Sequence, residues 1–463
     1  MHCPFEEVKN MNRLTTFYFL ALFVILALAT GFSVEPVEIR AFPGAEGFGA
    51  WSQGGRDGEV IYVTNLEDYA HGEKPIPGSL RYAVCQKSPR YVLFRISGII
   101  NLKDELKITN PSITIAGQTA PGDGICLKTH GLRIRTHDVI IRYIRVRPGD
   151  TYGKHGHPGW STDAISVSSP SSNVIIDHCS TSWANDEVLS VSGEKTDSVS
   201  IQWCIISESL NHSTHAKGEH GYASLLRTGG SVSYHHNILA DHLSRTPRTG
   251  TYGNRAGRVD FYSNLVYNTV RSGYTARDSS LLNYVGNYIK QGPDSQKDFA
   301  FETGGNTTEI YAAGNHLYNI HNELISSDQD QIIRILDGAR MLDKPLPGPP
   351  METEAPDRLY DTLPEACGAV LPARDPVDTR ITRQIREGKG GIIDSQESVN
   401  GWPDYKSIAP PVDTDLDGMP DAWESDHGLN PDYPGDYKLK TLDRNYNNLE
   451  VYLNSIKQTT KLK

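Results

Sequence analysis

Val232-Ser-Tyr-His-His-Asn237, Val259-Asp-Phe-Tyr-Ser-Asn264, Leu282-Asn-Tyr-Val-Gly-Asn287 and Ile310-Tyr-Ala-Ala-Gly-Asn315 share one frame, an apolar β-former followed five residues on by Asn. The asparagines lie 27, 23 and 28 residues apart. Upstream the frame continues in Val139-Ile-Ile-Arg-Tyr-Ile144, Val174-Ile-Ile-Asp-His-Cys179 and Val199-Ser-Ile-Gln-Trp-Cys204. Repeats of this length, made of short β-branched runs and polar turns, indicate stacked coils. The expected class is all-β, a right-handed parallel β-helix in which each coil pairs with the next about 4.8 Å away. Asn at one bend of successive coils would stack and satisfy backbone groups that the bend orphans. A propeller or sandwich is the competing arrangement. Unequal insertions between strands favour the solenoid, whose loops leave one face freely. Cys179 and Cys204 fall on the same ladder one coil apart, at a spacing that suits either a disulfide or two stacked thiols.

Composition narrows the rest. The chain has 463 residues, a net charge of −11, 38 % hydrophobic residues and six cysteines. A polytopic membrane protein, global disorder and a disulfide scaffold are excluded. A pI near 5.8 argues against nucleic acid as a partner. Leu14 to Ala29 is an uncharged apolar run after Arg13. It reads as an export signal over 1–33, with Met11 the plausible start, and it is short for a membrane anchor of ~20 residues. The expected location is secreted, extracellular or periplasmic, with no stable membrane association, and the chain is expected to be a monomer. Sequons at Asn211-His-Ser213 and Asn306-Thr-Thr308 are expected to stay unmodified.

Two stretches, Asp150 to Trp160 and Asn211 to Tyr222, read as loops that could converge on one groove. Between Lys217 and Arg277 lie eight basic residues, Arg245, Arg248, Arg255 and Arg258 among them, against Glu219, Asp241 and Asp260. A basic island on an acidic body, accompanied by His220, His235, His236 and His242, suggests an anionic ligand. One coil earlier, Asp163, Asp177, Asp186 and Glu187 sit at strand ends. Hard oxygen donors on adjacent coils suit Ca²⁺, and metal plus Arg would suit an acidic substrate.

Several motifs together carry a resemblance. They are Phe42-Pro-Gly-Ala-Glu-Gly-Phe-Gly-Ala50, Val63-Thr-Asn-Leu66, Gly78-Ser-Leu-Arg-Tyr-Ala-Val84, Ile113-Thr-Ile-Ala-Gly-Gln-Thr-Ala-Pro-Gly122, Ile176-Asp-His178 and Ser244-Arg245-Thr-Pro-Arg248. Over roughly 41–320 the chain resembles the pectate lyase family of polysaccharide lyases, family 1. The resemblance implies a parallel β-helix that cleaves polygalacturonate by Ca²⁺-assisted β-elimination, with an acidic polysaccharide as partner. Motif by motif it implies Asp163 and Asp186 as calcium ligands. It implies Arg245 as base and Lys217 as its catalytic companion, with Arg248, His178 and His215 binding substrate. Ser190 and Gly250 depart from the family's usual Asp and Arg, so Glu187 becomes a candidate replacement ligand. Two other readings compete. One is a β-helical polygalacturonase using two of Asp163, Asp177 and Asp186; the other is a non-catalytic pectin-binding solenoid.

The composition changes after about Gly338. Residues 34–345 are assigned to the solenoid, and 346–410, rich in Pro, to a linker or a solenoid-wrapping segment. The tail 411–463 contains Asp413-Thr-Asp415-Leu-Asp417-Gly-Met419-Pro-Asp421-Ala-Trp-Glu424. Oxygen donors at loop positions one, three, five, nine and twelve, with Gly at six and the Met419 carbonyl at seven, form the EF-hand pattern. A small calcium-binding helical segment is therefore expected there. Asp443 to Leu453 resembles the helix start of a dockerin-like tail, with a degenerate second loop.

Overall fold

The computed structural model describes residues 39–457 apart from 253–254, 276–278, 306 and 337. The stretch read as an export signal, with Met11, as well as Arg277 and Asn306, lies outside the described residues. Each coil lays one strand in each of three sheets of eleven, ten and ten strands, parallel apart from the pairings of Arg255–Ala256 and Leu324–Ser326. One coil runs His137–Arg142 in the first sheet, Arg145–Arg147 in the second and Ile165–Ser168 in the third. The next repeats the order with Ser171–Asp177, Ser180–Ser182 and Leu189–Gly193. The result is an all-β parallel solenoid of about ten turns.

The repeat frame explains the register. Val139, Val174, Val199, Val232, Val259, Leu282 and Ile310 face one another rung by rung. All are buried in the central core, where each such side chain stabilises by about 1.5–3 kcal/mol. The Asn that ends each frame sits at the bend into the second sheet. The Asn237 amide N–H donates to Asn264 Oδ1 at 2.9 Å, Asn264 to Asn287 at 2.9 Å and Asn287 to Asn315 at 3.0 Å. Each Nδ2 donates to the backbone carbonyl of a strand residue, such as Tyr234 or Phe261. At the far end the Asn315 Nδ2 donates to Gln329 Oε1 at 2.7 Å, and the Gln329 amide donates back to the Asn315 carbonyl. Cys179 and Cys204 take the same position upstream as free thiols, with the Cys179 N–H donating to Cys204 Sγ.

Within residues 346–410, the two helices cover the second sheet. The helix Pro356–Ala366 and the helix Pro376–Glu387 bury Leu359, Leu363, Ile381 and Ile385 against Ile205, Ile238, Leu265 and Tyr288. Asp375 caps the second helix by accepting from the Asp378 N–H, Pro376 fits its first turn, and Gly388 closes it at φ +66°. Beneath it Asp375 and Asp378 pair with the buried Arg145 and Arg147. The tail packs on the first sheet: Met419, Tyr437, Leu449 and Leu453 cover Tyr91, Leu93 and Ala116. The helix Asn448–Ser455 thus spends its apolar face on its own solenoid. The described residues from Arg40 onward form one compact unit. Among the described residues no helix is long and apolar enough to cross a membrane.

Candidate functional site

The longest loops leave the bends between the second and third sheets. Asp163 precedes the strand Ile165–Ser168, Asp186 and Glu187 precede Leu189–Gly193, Tyr222 precedes Leu225–Thr228, and Arg245 precedes Arg248–Tyr252. Those four strands are consecutive rungs of the third sheet, so their approach residues stack into one strip. Bridges from Glu187 to Tyr222 and from Tyr222 to Ser244 carry the pairing into it. The two long loops meet above the strip. Gly159 bridges to His215, and the Thr214 hydroxyl donates to the Trp160 carbonyl at 3.0 Å.

Within the strip every carboxylate has a protein partner. Asp163 accepts from the Ser190 hydroxyl and, at 3.2 Å, from the Glu187 N–H. Asp186 is bonded to His220 Nε2 at 2.8 Å and lies 3.8 Å from His215 Nε2. Glu187 forms an ion pair with Arg245. His215 and His220 stack with ring centroids 3.8 Å apart. The Arg245 guanidinium lies 3.9 Å over the Tyr222 ring, while Arg248 lies 5.8 Å over Tyr274. Arg245 has φ +63°, a left-handed conformation uncommon for a residue with a long side chain. It is locked there by the Ser224 N–H donating to its carbonyl at 2.9 Å. Backbone strain of this kind gathers where a side chain must be aimed.

The electrostatics follow from burial. Burial, then the charge of Asp186, pushes the Asp163 carboxyl up to about 7. Burial also opposes ionisation of Asp186, but the His220 hydrogen bond and the neighbouring cations hold it below the usual carboxylate range. Burial and Arg248 pull Arg245 below the ordinary guanidinium range, against Tyr274. Burial, with His220 beside it, lowers His215. One oxygen each of Asp163, Asp186 and Glu187 lies within 4.8 Å of the others. Clustered hard oxygens, with Asp163 raised by burial and then by the nearby Asp186 charge, are a donor set that fits a divalent cation.

The structure separates some residues that the sequence put together. Lys217 is exposed on the upper loop, its N–H donating to His215 Nδ1 at 3.0 Å. His178 is not in the strip. It sits at the opposite bend, between the first and second sheets, stacked between Tyr143 and Trp203, with Trp203 stacked in turn on His236. Its substrate-binding role is therefore withdrawn: the ring is a rung of an aromatic ladder, held 2.9 Å from Asp177. Asp177 is at that bend too, buried and bonded to Arg142 and Gln202. Conversely, His220 and Tyr222 form the strip's floor. Their loop position was visible in the sequence, but not their contacts.

A second acidic cluster forms in the tail. Asp413, Asp415 and Asp417 approach within 4.8 Å, and Asp417, Glu424 and Asp436 do likewise. Asp421 is not among them, because both its oxygens accept from Thr414, the N–H and the hydroxyl, each at 2.7 Å. Asp436 arrives from beyond the twelve-residue loop, and no local spacing announced it. Met419 is fully buried, its side chain in the apolar seam against the first sheet.

No family model matches the chain. Full-length relatives do. A probable pectate lyase C of Aspergillus terreus is 34 % identical over 446 residues, 94 % of this chain and 98 % of that protein. A probable pectate lyase C of Emericella nidulans is 35 % identical over 424 residues, 90 % of this chain and 93 % of that one. Among solved structures, a thermostable pectate lyase, PL 47, superposes with a TM-score of 0.51 at 15 % identity, covering 71 % of this chain and 97 % of that chain.

Proposed function

The chain belongs to the pectate lyase family, and from that premise we propose that the strip at the bend between the second and third sheets cleaves polygalacturonate by Ca²⁺-assisted β-elimination, releasing 4,5-unsaturated oligogalacturonides. The observation that carries this reading is the juxtaposition of Arg245 with the Asp163–Asp186–Glu187 cluster on adjacent rungs. Asp163 and Asp186 would hold the cation, with Glu187 within reach. Bound there, Ca²⁺ supplies positive charge that neutralises the uronate carboxylate and steadies the charge developing on it. The chain's own groups do the rest. Lys217, exposed on the upper loop, closes on the carboxylate from above. Arg248 binds the neighbouring uronate. Arg245, once neutral, takes the C5 proton, the C4–O bond breaks, and the departing oxygen takes a proton from solvent.

An Arg base is demanding, because a free guanidinium keeps its proton. The Glu187 ion pair favours the charged form, whereas burial and Arg248 oppose it. Activity is therefore expected to rise toward alkaline pH. The hydrolase reading is disfavoured by distance. Asp177 is at the other bend, and Asp163 and Asp186 approach within 4.8 Å, short of the roughly 6.5–9.5 Å that an inverting pair needs. We further propose export, on the apolar run Leu14–Ala29.

The test is an assay on polygalacturonate with Ca²⁺ and with chelator, reading near-ultraviolet absorbance beside new reducing ends. Elimination gives both signals in step, and only with calcium. Reducing ends without absorbance would replace the lyase chemistry with hydrolysis.

A further inference from the structure

The tail cluster is not explained by catalysis, because it lies on the first sheet rather than in the strip. Each of its aspartates has one oxygen engaged by the protein. Asp413 Oδ2 accepts from the Tyr62 hydroxyl and lies 3.7 Å from Arg95. Asp415 Oδ1 accepts from the Asp417 N–H, Asp417 Oδ1 from the Met419 N–H, and Asp436 Oδ2 from the Asn430 N–H. Their other oxygens, and both of Glu424, are buried with no hydrogen-bond partner. Glu424 is 0 % exposed and Asp417 2 %. An ionised carboxylate is not left dry and unpaired in a folded protein without a cation. Six converging oxygens, two from one glutamate, match the coordination of Ca²⁺, which takes six to eight and favours a bidentate Glu; Mg²⁺ demands a tighter octahedron and keeps its waters.

We propose that Asp413, Asp415, Asp417, Glu424 and Asp436 form a Ca²⁺ site, distinct from the strip, that clasps the C-terminal tail to the first coils of the solenoid. The twelve-residue loop supplies four ligands, and Asp436 replaces Asp421. The site is tied to the solenoid at several points. Tyr62 and Arg95 hold Asp413, the Tyr437 hydroxyl donates to the Gly58 carbonyl at 3.0 Å, and Arg56 pairs with Glu450 at 2.8 Å. Gly418, at φ +106°, lets the loop turn where a Cβ would come within 2.9 Å of both Leu93 and Leu449. Binding the cation thus draws the tail's apolar residues onto Tyr91 and Leu93.

The experiment uses the full-length protein. Bound calcium is counted by atomic spectroscopy after exhaustive desalting, and Tb³⁺ luminescence sensitised through the adjacent Trp423 is titrated. The wild type and an Asp163→Asn/Asp186→Asn double variant should both retain one calcium and show the Tb³⁺ signal. Glu424→Gln and Asp436→Asn should lose it, with affinity reduced by roughly a hundredfold or more. Asp421→Asn should bind as the wild type does. Retention of the tight calcium in Glu424→Gln would overturn the site, as would its loss in the double variant with the tail intact. Equal damage from Asp421→Asn and none from Asp436→Asn would overturn the ligand set. Should Glu424→Gln fail to fold, the wild type decides: a thermal midpoint unmoved by chelator, with no Tb³⁺ signal, would refute the clasp.

Discussion

The strip and the tail each gather carboxylates within 4.8 Å, yet the protein answers the two charges in opposite ways. In the strip Ser190, His220 and Arg245 satisfy Asp163, Asp186 and Glu187 from the side. In the tail six oxygens are left bare. A cluster that is already satisfied keeps its shape whether a cation comes or goes, which suits a place where substrate must exchange. A cluster with bare oxygens holds its shape only around its ion, which suits a rivet. Under the two proposals, what separates a catalytic metal position from a structural one is how many partners the fold supplies, rather than the number of acidic residues.

The comparison can be broken most sharply at Arg245. Arg245→Lys keeps the charge but loses the guanidine, so kcat should fall about 10³-fold while KM changes by less than about fivefold. Turnover close to wild type would move the base elsewhere. Next in size is metal removal. Chelation should lower unfolding free energy by about 3 kcal/mol relative to calcium at 100 times its dissociation constant, measured by denaturant titration. The loss should persist in the Asp163→Asn/Asp186→Asn variant, because it belongs to the tail. A chelator effect that vanishes in that variant would reverse the two assignments.

A smaller effect separates acid lability from both clusters. His242 is buried, accepting from Ser209 at Nδ1 and donating from Nε2 to the Ile206 carbonyl, and burial pushes it down to about 4. The folded protein keeps this imidazole neutral down to about pH 4, while the unfolded chain protonates it near 6.5. The unfolded state therefore binds more protons in that window. Stability falls as pH drops from about 6.5 to about 4, by roughly 2 kcal/mol at pH 5 for this residue. His242→Gln should flatten that slope in urea titrations at fixed calcium. The smallest effect is expected from Glu187→Gln. Removing the anion beside Arg245 should make its proton easier to lose and shift the alkaline limb of kcat/KM to lower pH. An unshifted limb would mean that Glu187 does not act on Arg245.

The coil was legible because one buried bend position recurs at the end of every frame, as Asn in four successive coils and as Ile144, Cys179 and Cys204 before them. The strip was legible in its charges but not in its contacts. Asp163, Asp186 and Arg245 stood out by type, whereas the seating of Arg245 on Tyr222 depends on loops of unequal length meeting in space. His178 was misread because an Asp-His pair looks chemical. Its register was on the page, though: it precedes Cys179 just as Tyr143 precedes Ile144, Trp203 precedes Cys204 and His236 precedes Asn237. Those four are one stack. In the tail, loop spacing located four of the five clustered acids, but Asp436 reaches the cluster through a return of the chain that no short motif encodes.

The Gln329 side chain that closes the last Asn rung has a consequence for solubility. A stack of open coils ends in unsatisfied amides that invite another copy, the way cross-β fibres lengthen. Gln329 occupies both the donor and the acceptor of Asn315, and the antiparallel strand Leu324–Ser326 covers the neighbouring edge. The last rung of the Asn ladder is thus closed by a side chain of the same protein and presents no bare amide for a further rung.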